Sequence, residues 1–301
     1  MLTFPTQNLF IEGPDCAGKT TTIRKIHNLS NYRWHIHDRS QVSRKVFAEL
    51  YERKNSNINS DFHFEISNLN NRFVFLLPPF ETIEERFLKR GDDLHQDLTS
   101  IKNVYDAFSE ECEGLFSFPN VIVCREENTD SISETISCSL TLTERCMIQE
   151  VSDQVLDFVR CKGGESYPLK FTLYDNGQFE ESNSEILCHE SEGDYYRRIF
   201  NSFHKKINNE LEGKNEYSRI ETHRSRRFVY SDPSCISFIH MAVRDKIMDF
   251  HSVIRSTDVK EIFPHDLKFL YYLASTCYDK FEKDCDKVRM RFNLNSAHII
   301  N

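Results

Sequence analysis

Glycine, lysine and threonine residues near the amino terminus follow the pattern G-x-x-x-x-G-K-T, formed by Gly13, Gly18, Lys19 and Thr20. An apolar run precedes the pattern and a helical periodicity follows it, which is the strand–loop–helix setting of a phosphate-binding loop. The glycines let backbone N–H groups turn inward around a phosphate, and the helix N-terminus adds its positive end. The lysine would contact the β- and γ-phosphates, and the threonine hydroxyl would bind Mg²⁺. The pattern therefore predicts a site for ATP with magnesium.

Charged side chains elsewhere in the first half could act on the same phosphate groups. Asp38 and Arg39 follow a short predicted strand, and Arg86 and Arg90 have the i, i+4 spacing on a predicted helix. Phosphoryl transfer needs charge neutralisation and positioning more than it needs a strong base, and guanidinium groups supply both. The alternative for the arginine pair is a solvated helix face, which has the same spacing.

The predicted nucleotide site also includes two polar residues inside the loop motif. Asp15 could bind a sugar hydroxyl, and Thr21 follows Thr20 at the start of the predicted helix. The complete set of predicted ATP ligands is Gly13, Asp15, Gly18, Lys19, Thr20 and Thr21.

Cysteine and arginine residues form a second group in the other half of the chain. Arg226 and Arg227 come before Cys235, and the run Arg255-Ser256-Thr257-Asp258 follows. A thiolate can act as a nucleophile, and guanidinium groups bind phosphate through bidentate hydrogen bonds. By itself, however, a cysteine on a strand is most often a buried structural residue. A nucleophilic role for Cys235 is therefore inferred only together with the neighbouring arginine motif.

Composition limits the classes of protein to which this chain can belong. The 301 residues carry a formal net charge of −9, so there is no global attraction to nucleic acid or an anionic membrane. The ten cysteines lack C-x-x-C pairs and zinc-ligand spacing. With no secretory signal and no apolar run that could span a membrane, we expect reduced thiols in the cytoplasm.

Strand and helix patterns alternate through the first half, which predicts an α/β domain with a parallel sheet over residues 1–126. A polar and charged stretch at residues 127–134 predicts a linker. The alternation changes after it, and we expect a second domain over residues 135–301, because a chain of this length exceeds one ordinary core. The predicted strands are 34–37, 71–77 and 121–124, and the predicted helices are 21–29, 41–53, 81–90 and 97–115.

Three motifs of the first half together resemble those of thymidylate kinases and related deoxynucleoside kinases. They are the segment from Phe10 to Thr21, the run Asp38-Arg39-Ser40, and Leu77-Pro78-Pro79 followed by Glu85-Arg86-x-x-x-Arg90-Gly91-Asp92. The resemblance implies a P-loop kinase fold, with Asp38 and Arg39 beside the transferred phosphate and both helix arginines in a lid. The chain departs from the family between Lys19 and Asp38, where the family has a long segment that builds the acceptor pocket.

The second half resembles thymidylate synthase and deoxycytidylate hydroxymethylase. The match consists of the arginine pair, Pro-x-Cys, Arg-Ser-x-Asp at the family's interval, and Asn295-Ser296-Ala297-His298-Ile299 near the end. The resemblance implies an α+β fold over residues 135–301 that forms a homodimer.

The same resemblance implies a role for each matching residue. The Cys235 thiolate would attack C6 of a pyrimidine. Asp266 would read the amine of cytosine, and His298 would reach the deoxyribose hydroxyl. The remaining pyrimidine-nucleotide ligands would be Arg226, Arg227, Arg255, Ser256 and Asp258, with the first two crossing to a partner subunit.

Three departures from this second family bear on catalysis. Gln154 stands where the helix match places the family's catalytic glutamate, and Ile236 replaces the histidine after the cysteine. The chain stops at Asn301, before the tail that closes over folate. We therefore expect a nucleotide-binding or dimerisation domain, and leave its one-carbon transfer and folate binding open.

Three hypotheses for the whole chain follow. The first is an ATP- and Mg²⁺-dependent phosphotransferase of pyrimidine deoxynucleotide metabolism, of a phage type that acts in the host cytoplasm. The second is a kinase of hydroxymethylated pyrimidine, free or within DNA. The third is a catalytically degraded protein that binds nucleotides to regulate or inhibit.

Overall fold

The computed structural model describes residues 2–53, 57–90, 97–139, 145–211 and 226–300. By its internal contacts the chain divides into two compact units. The first unit is Thr6–Thr143, and the second unit combines Met1–Pro5 with Glu144–Asn301. Both are mixed arrangements of helices and strands.

The strands are β1 (Leu2–Thr3), β2 (Asn8–Glu12), β3 (Ile36–Asp38), β4 (Asn71–Leu76), β5 (Val121–Cys124), β6 (Arg145–Cys146), β7 (Glu165–Ser166), β8 (Leu169–Asp175), β9 (Arg226–Ser231), β10 (Ile236–Arg244), β11 (Ile247–Ile254), β12 (Thr257–Asp258), β13 (Lys287–Leu294) and β14 (Ala297–His298). The helices are α1 (Lys19–Leu29), α2 (Gln41–Leu50), α3 (Ile58–Ile66), α4 (Phe80–Arg90), α5 (Leu98–Leu115), α6 (Thr129–Ser139), α7 (Ile148–Cys161), α8 (Gly193–Leu211) and α9 (Phe263–Phe281), with a 3₁₀ helix at Ser184–Cys188.

A four-stranded parallel sheet in the order β3-β2-β4-β5 forms the centre of the first unit. Every residue of β4 is buried, as expected for a parallel strand covered by helices on both faces. The carboxyl ends of neighbouring parallel strands meet at one edge of the sheet. The loop after β2 and the residues after β3 therefore lie side by side.

Local capping explains where two helices of the first unit begin. The Ser40 hydroxyl accepts a hydrogen bond from the Val42 N–H at 3.0 Å, which fixes the start of α2 immediately after Arg39. The Asp97 carboxylate accepts one from the Ser100 N–H at 2.7 Å at the start of α5.

The predicted α/β organisation with a parallel sheet is confirmed, and the predicted helices and strands of this half are present with small shifts at their ends.

Residues 127–134, for which the sequence predicts a linker, instead include the first turns of α6. Ile132 and Ile136 of this helix have exposures of 3% and 0% and belong to the core of the first unit, together with Ile26 of α1. Because the i, i+4 isoleucine pair is buried, the segment is structural. The boundary between the units falls at residues 143 and 144.

A seven-stranded mixed sheet in the order β6-β1-β8-β13-β11-β10-β9 forms the second unit. Its strands pair antiparallel except β11 and β13, which are parallel. The two-residue strand β1 joins this sheet, with Leu2 paired to Cys146, although the sequence assigns it to the first domain. A smaller sheet has the order β12-β14-β7.

The helix α9 provides much of the core of the second unit. Pro264 lies in its first turn, where proline is tolerated because its missing N–H is not needed. Its buried side chains include Phe263, Leu267 and Leu270. None of the helices in the described residues is both long enough and apolar enough to cross a membrane.

Candidate functional site

The loop between β2 and α1 requires glycine at both glycine positions of its motif. Gly13 has a φ of +136°, and a Cβ there would lie 2.5 Å from the backbone oxygen of Leu76. Gly18 has a φ of +96° and is the N-cap of α1 without a side-chain hydrogen bond. The first turn of α1 holds no acidic residue. The N-terminal N–H groups of this helix are thus suited to an anion.

Lys19 is buried and folds back along the same loop. Its Nζ donates hydrogen bonds to the backbone oxygens of Gly13 at 2.8 Å and Pro14 at 2.7 Å. Burial lowers the pKa of Lys19, and the Asp15 carboxylate, 3.8 Å from Nζ, opposes that effect. An ammonium group held by loop carbonyls can exchange them for phosphate oxygens. Thr20, next along the helix, is exposed.

Arg39 connects the end of β3 to the glycine loop. Its Nη2 lies 3.0 Å from Oδ1 of Asp15, and its backbone N–H donates to the Ile11 oxygen at 3.2 Å. The residue has a φ of +80°, a strained conformation that redirects the chain after the strand. Asp38 pairs with Ile11 across the sheet and its side chain is exposed at the same edge. The predicted grouping of Asp38 and Arg39 with the loop is therefore observed.

Glu12, the last residue of β2, is a buried carboxyl that the sequence analysis did not single out. Its Oε2 accepts a short hydrogen bond from the Ser43 hydroxyl of α2. Desolvation raises the pKa of Glu12, and the Ser40 and Ser43 hydroxyls partly counter that rise. An acidic residue directly after the apolar run of β2 is the signal that could have identified it.

Arg86 of α4 contacts the backbone of the loop. Its Nη1 donates to the oxygens of Cys16 at 3.3 Å and Ala17 at 3.2 Å, and its Nη2 donates to the Glu127 oxygen at 2.8 Å. These bonds argue against a merely solvated helix face for this residue. Arg90, at the end of α4, is exposed, and the described bonds to the loop do not include it. Gly91 and Asp92 lie outside the described residues.

Cys235 lies immediately before β10, and its side chain is exposed. Its backbone oxygen accepts from the Arg255 N–H at 2.8 Å, which holds the two predicted site residues next to each other. Desolvation and the Asp266 carboxyl raise the pKa of the Cys235 thiol, while Arg255 lowers it. The Tyr195 hydroxyl accepts a hydrogen bond from the Ile236 N–H at 2.7 Å. Burial and the neighbouring carboxyl thus disfavour the thiolate form of Cys235.

Asp266 is 1% exposed at the start of α9. Its Oδ1 accepts from the Tyr196 hydroxyl at 3.0 Å, and its Oδ2 accepts from the Thr257 hydroxyl at 3.3 Å. Desolvation raises the pKa of Asp266 to about 7, against the lowering effect of both hydroxyl groups. Glu192 adds a further negative charge that acts on Cys235 and Asp266. Neither Tyr196 nor Glu192 carries a sequence signal that distinguishes it from other residues of its type.

Asp258 and His298 occupy neighbouring short strands. Asp258 is 6% exposed, and its Oδ1 accepts from the N–H groups of Lys260 at 2.9 Å and Glu261 at 3.4 Å. These bonds stabilise the turn before α9, so its carboxylate is a structural cap. His298 pairs with Asp258 across β14 and β12. It lines a cavity of about 470 Å³ together with Arg160.

The arginine pair and Gln154 lie elsewhere in the second unit. In the sheet register Arg226 pairs with Val243 and Arg227 with Ala242, near the end of β10 opposite to Cys235. At ~3.3 Å per residue this separation along the strand is roughly 25 Å. Their side chains lie outside the described residues. Gln154 is a half-buried residue of α7, and Ser256 is half-buried beside Arg255.

No model of a known protein family matches this chain, and no curated protein matches it in sequence.

Proposed function

We propose that the chain is an ATP-dependent phosphotransferase that acts on a pyrimidine deoxynucleotide. The observation that carries this proposal is the loop of the first unit. There, two glycines with positive φ, an uncapped helix N-terminus and a buried lysine converge. The motif spacing and the loop geometry both suit a triphosphate.

The residues present fit ATP and magnesium. The first turn of α1 has no side-chain cap and no acidic residue, so its N–H donors are suited to phosphate. Lys19 would bind the β- and γ-phosphates, and the exposed Thr20 hydroxyl would be a ligand of Mg²⁺, which takes its other ligands from phosphate and water. The bound metal would neutralise charge on the phosphates.

Residues at the edge of the sheet would position the acceptor. In the transfer, the bond from the γ-phosphorus to the bridging oxygen breaks, ADP leaves with that oxygen, and an acceptor oxygen bonds to phosphorus. Arg39 would neutralise charge on the transferred group. Where the acceptor oxygen is a hydroxyl, the exposed Asp38 carboxylate would take its proton. Arg86 would hold the loop backbone in place.

We assign the second unit to binding of a pyrimidine nucleotide, in accordance with its resemblance to thymidylate synthase. The support is the proximity of Cys235 to Arg255 and the buried Asp266 with a pKa of about 7. A carboxyl that titrates near neutral pH can donate to a base edge when it is protonated and can accept from one when it is ionised. We propose no methyl transfer, because Gln154 stands where the resemblance places the catalytic glutamate.

We further propose that the second unit forms a homodimer through its seven-stranded sheet. Asp249 of β11 binds both Arg289 and Arg291 of β13. Asp249 and Arg289 are half-buried, and Arg291 is exposed. Sedimentation equilibrium should give twice the mass of the chain, and a monomer at micromolar concentration would contradict this.

The central test is transfer of labelled γ-phosphate from ATP in the presence of Mg²⁺. The acceptors should include dTMP, dCMP, their hydroxymethylated analogues and DNA that contains hydroxymethylpyrimidine. We expect product with at least one of them and none with Lys19→Ala. If the protein binds ATP and an acceptor nucleotide but forms no product, a regulatory protein would be favoured over a phosphotransferase.

A further inference from the structure

A cavity of about 480 Å³ lies beside the glycine loop in the first unit. Its walls come from the residues that follow β3, from α2 and from the start of α3. This volume is within the usual range for sites that bind small molecules. The residues that concern its chemistry are Arg39, Ser43, Arg44, Phe47 and Arg53.

The charged side of this cavity is formed by three arginines. Arg39 and Arg44 are about half exposed, at 41% and 51%, and each has an acidic neighbour. The nitrogen–oxygen distance of the Arg44–Asp61 pair is 3.8 Å, and exposed ion pairs of this kind contribute little free energy. Arg53 is exposed as well. Guanidinium groups in this setting can turn toward an entering phosphate, which they bind bidentately.

The other side of the cavity is apolar. Phe47, Ala48 and Ile58 line it, and the Arg39 guanidinium carbon lies 5.0 Å from the centre of the Phe47 ring. An aromatic ring with aliphatic neighbours suits the flat surface of a base. The combination of an apolar wall with several guanidinium groups therefore matches a nucleotide better than either a neutral nucleoside or an inorganic anion.

Two side-chain contacts join the cavity to the glycine loop. Arg39 lines the cavity and binds Asp15 of the loop at 3.0 Å. Ser43 also lines the cavity and donates to Glu12, the residue immediately before Gly13. A ligand in the cavity would consequently lie next to the site proposed for the γ-phosphate of ATP.

From this arrangement we infer that the cavity binds the phosphoryl acceptor, a pyrimidine deoxynucleotide that carries a 5′-phosphate. The phosphate contacts Arg44 and Arg53, and the base packs against Phe47. This inference rests on the proposed phosphotransfer function. It also accounts for the short segment between Lys19 and Asp38, because here the acceptor pocket follows β3 instead of preceding it.

The test uses Arg44→Gln and Arg53→Gln in the full-length chain. Arg24→Gln serves as the control, since it removes the same charge from an exposed position on α1 outside the cavity. Calorimetry in the presence of a non-hydrolysable ATP analogue measures binding of dCMP and dTMP, of the nucleosides deoxycytidine and thymidine, and of a short oligodeoxynucleotide. The KM values for acceptor and ATP are measured on the same proteins.

We expect both cavity variants to weaken nucleotide binding by about tenfold or more, with the affinity for the ATP analogue unchanged within about twofold. The nucleosides should bind at least about tenfold more weakly than the nucleotides. If the oligonucleotide binds and the free nucleotides do not, the acceptor is a nucleotide within a DNA strand and the assignment to a free nucleotide is overturned. The calorimetry uses an ATP analogue that cannot transfer its phosphate. The cavity assignment and the phosphotransferase function are therefore tested separately.

Wild-type transfer with unaltered acceptor binding in both variants overturns the cavity assignment and leaves the phosphotransferase intact. Loss of nucleotide binding in the variants without transfer in the wild type supports the cavity and overturns the phosphotransferase. Equal binding of nucleosides and nucleotides contradicts the proposed role of the arginines.

Discussion

The Tyr196 hydroxyl donates a hydrogen bond of 3.0 Å to Oδ1 of Asp266, and both side chains are buried. A carboxylate would gain from this bond and from the Thr257 hydroxyl, yet the loss of hydration outweighs both contributions. The pKa of Asp266 consequently rises to about 7. At neutral pH this residue is divided between its two protonation states.

The raised pKa of Asp266 predicts that the second unit loses stability as the pH rises. Between the ordinary value of 3.8 and about 7, the folded chain keeps a proton that the unfolded chain releases. The free energy of unfolding should therefore fall through this range, by at most on the order of 4 kcal/mol. Asp266→Asn should flatten the dependence, as measured by urea unfolding from pH 4 to pH 8.

A suitable control for this experiment is Asp249→Asn. The two arginines next to Asp249 lower its pKa, so its contribution is present above its ordinary pKa and is lost as the pH falls. The control should leave the slope between pH 5 and pH 8 unaltered. An unchanged slope in Asp266→Asn would mean that this carboxyl is ionised throughout.

Gly13 should be intolerant of any side chain. A Cβ there would lie 2.5 Å from the Leu76 backbone oxygen, and the φ of +136° is unfavourable for alanine. We expect Gly13→Ala to lower the free energy of unfolding by at least about 2 kcal/mol. Gly114 in α5 has open space around it, so Gly114→Ala should raise stability by about 0.5–1 kcal/mol. Equal effects in the two variants would contradict the loop geometry.

The loop and the parallel sheet could be predicted from the sequence because their signals are local. The glycine positions and Lys19 lie within a few residues of one another, and the apolar residues of β4 are consecutive. The helix α6 gives a weak signal, since its serines and threonines favour other conformations and its buried Ile132 and Ile136 depend on tertiary packing. The two-residue strand β1 is too short to produce a periodic pattern.

Side-chain direction explains most of what the sequence could not establish about the sites. The motif that includes Asp258 suggests a nucleotide ligand, whereas its carboxylate caps two backbone N–H groups. The contact of Ser43 with Glu12 joins residues far apart in the chain, and no spacing rule connects them. The cavity beside Arg39 likewise depends on the packing of α2 and α3.

Ser43 is predicted to stabilise the first unit through Glu12. Ser43→Ala would remove one of the two serine hydroxyl donors to the buried Glu12 carboxyl, at a cost of about 1–3 kcal/mol in the free energy of unfolding. Ser60→Ala should have almost no effect, because the Ser60 hydroxyl bond is exposed. Thermal unfolding followed by the fluorescence of Trp34, a buried residue of this unit, measures both variants. A Ser43→Ala protein as stable as the wild type would show that Glu12 does not need this donor.

Cys235 should react more slowly with iodoacetamide than its exposure suggests. Cys188 is also exposed and serves as the internal reference. Only the thiolate is alkylated, and desolvation together with the Asp266 carboxyl raises the pKa of Cys235. At pH 7.5 we expect Cys188 to be modified first, as followed by peptide mass spectrometry. Because Asp266→Asn removes the negative charge, it should accelerate modification of Cys235 without affecting Cys188. Faster modification of Cys235 than of Cys188 in the wild type would indicate an activated thiolate, and one-carbon chemistry in the second unit would then regain support.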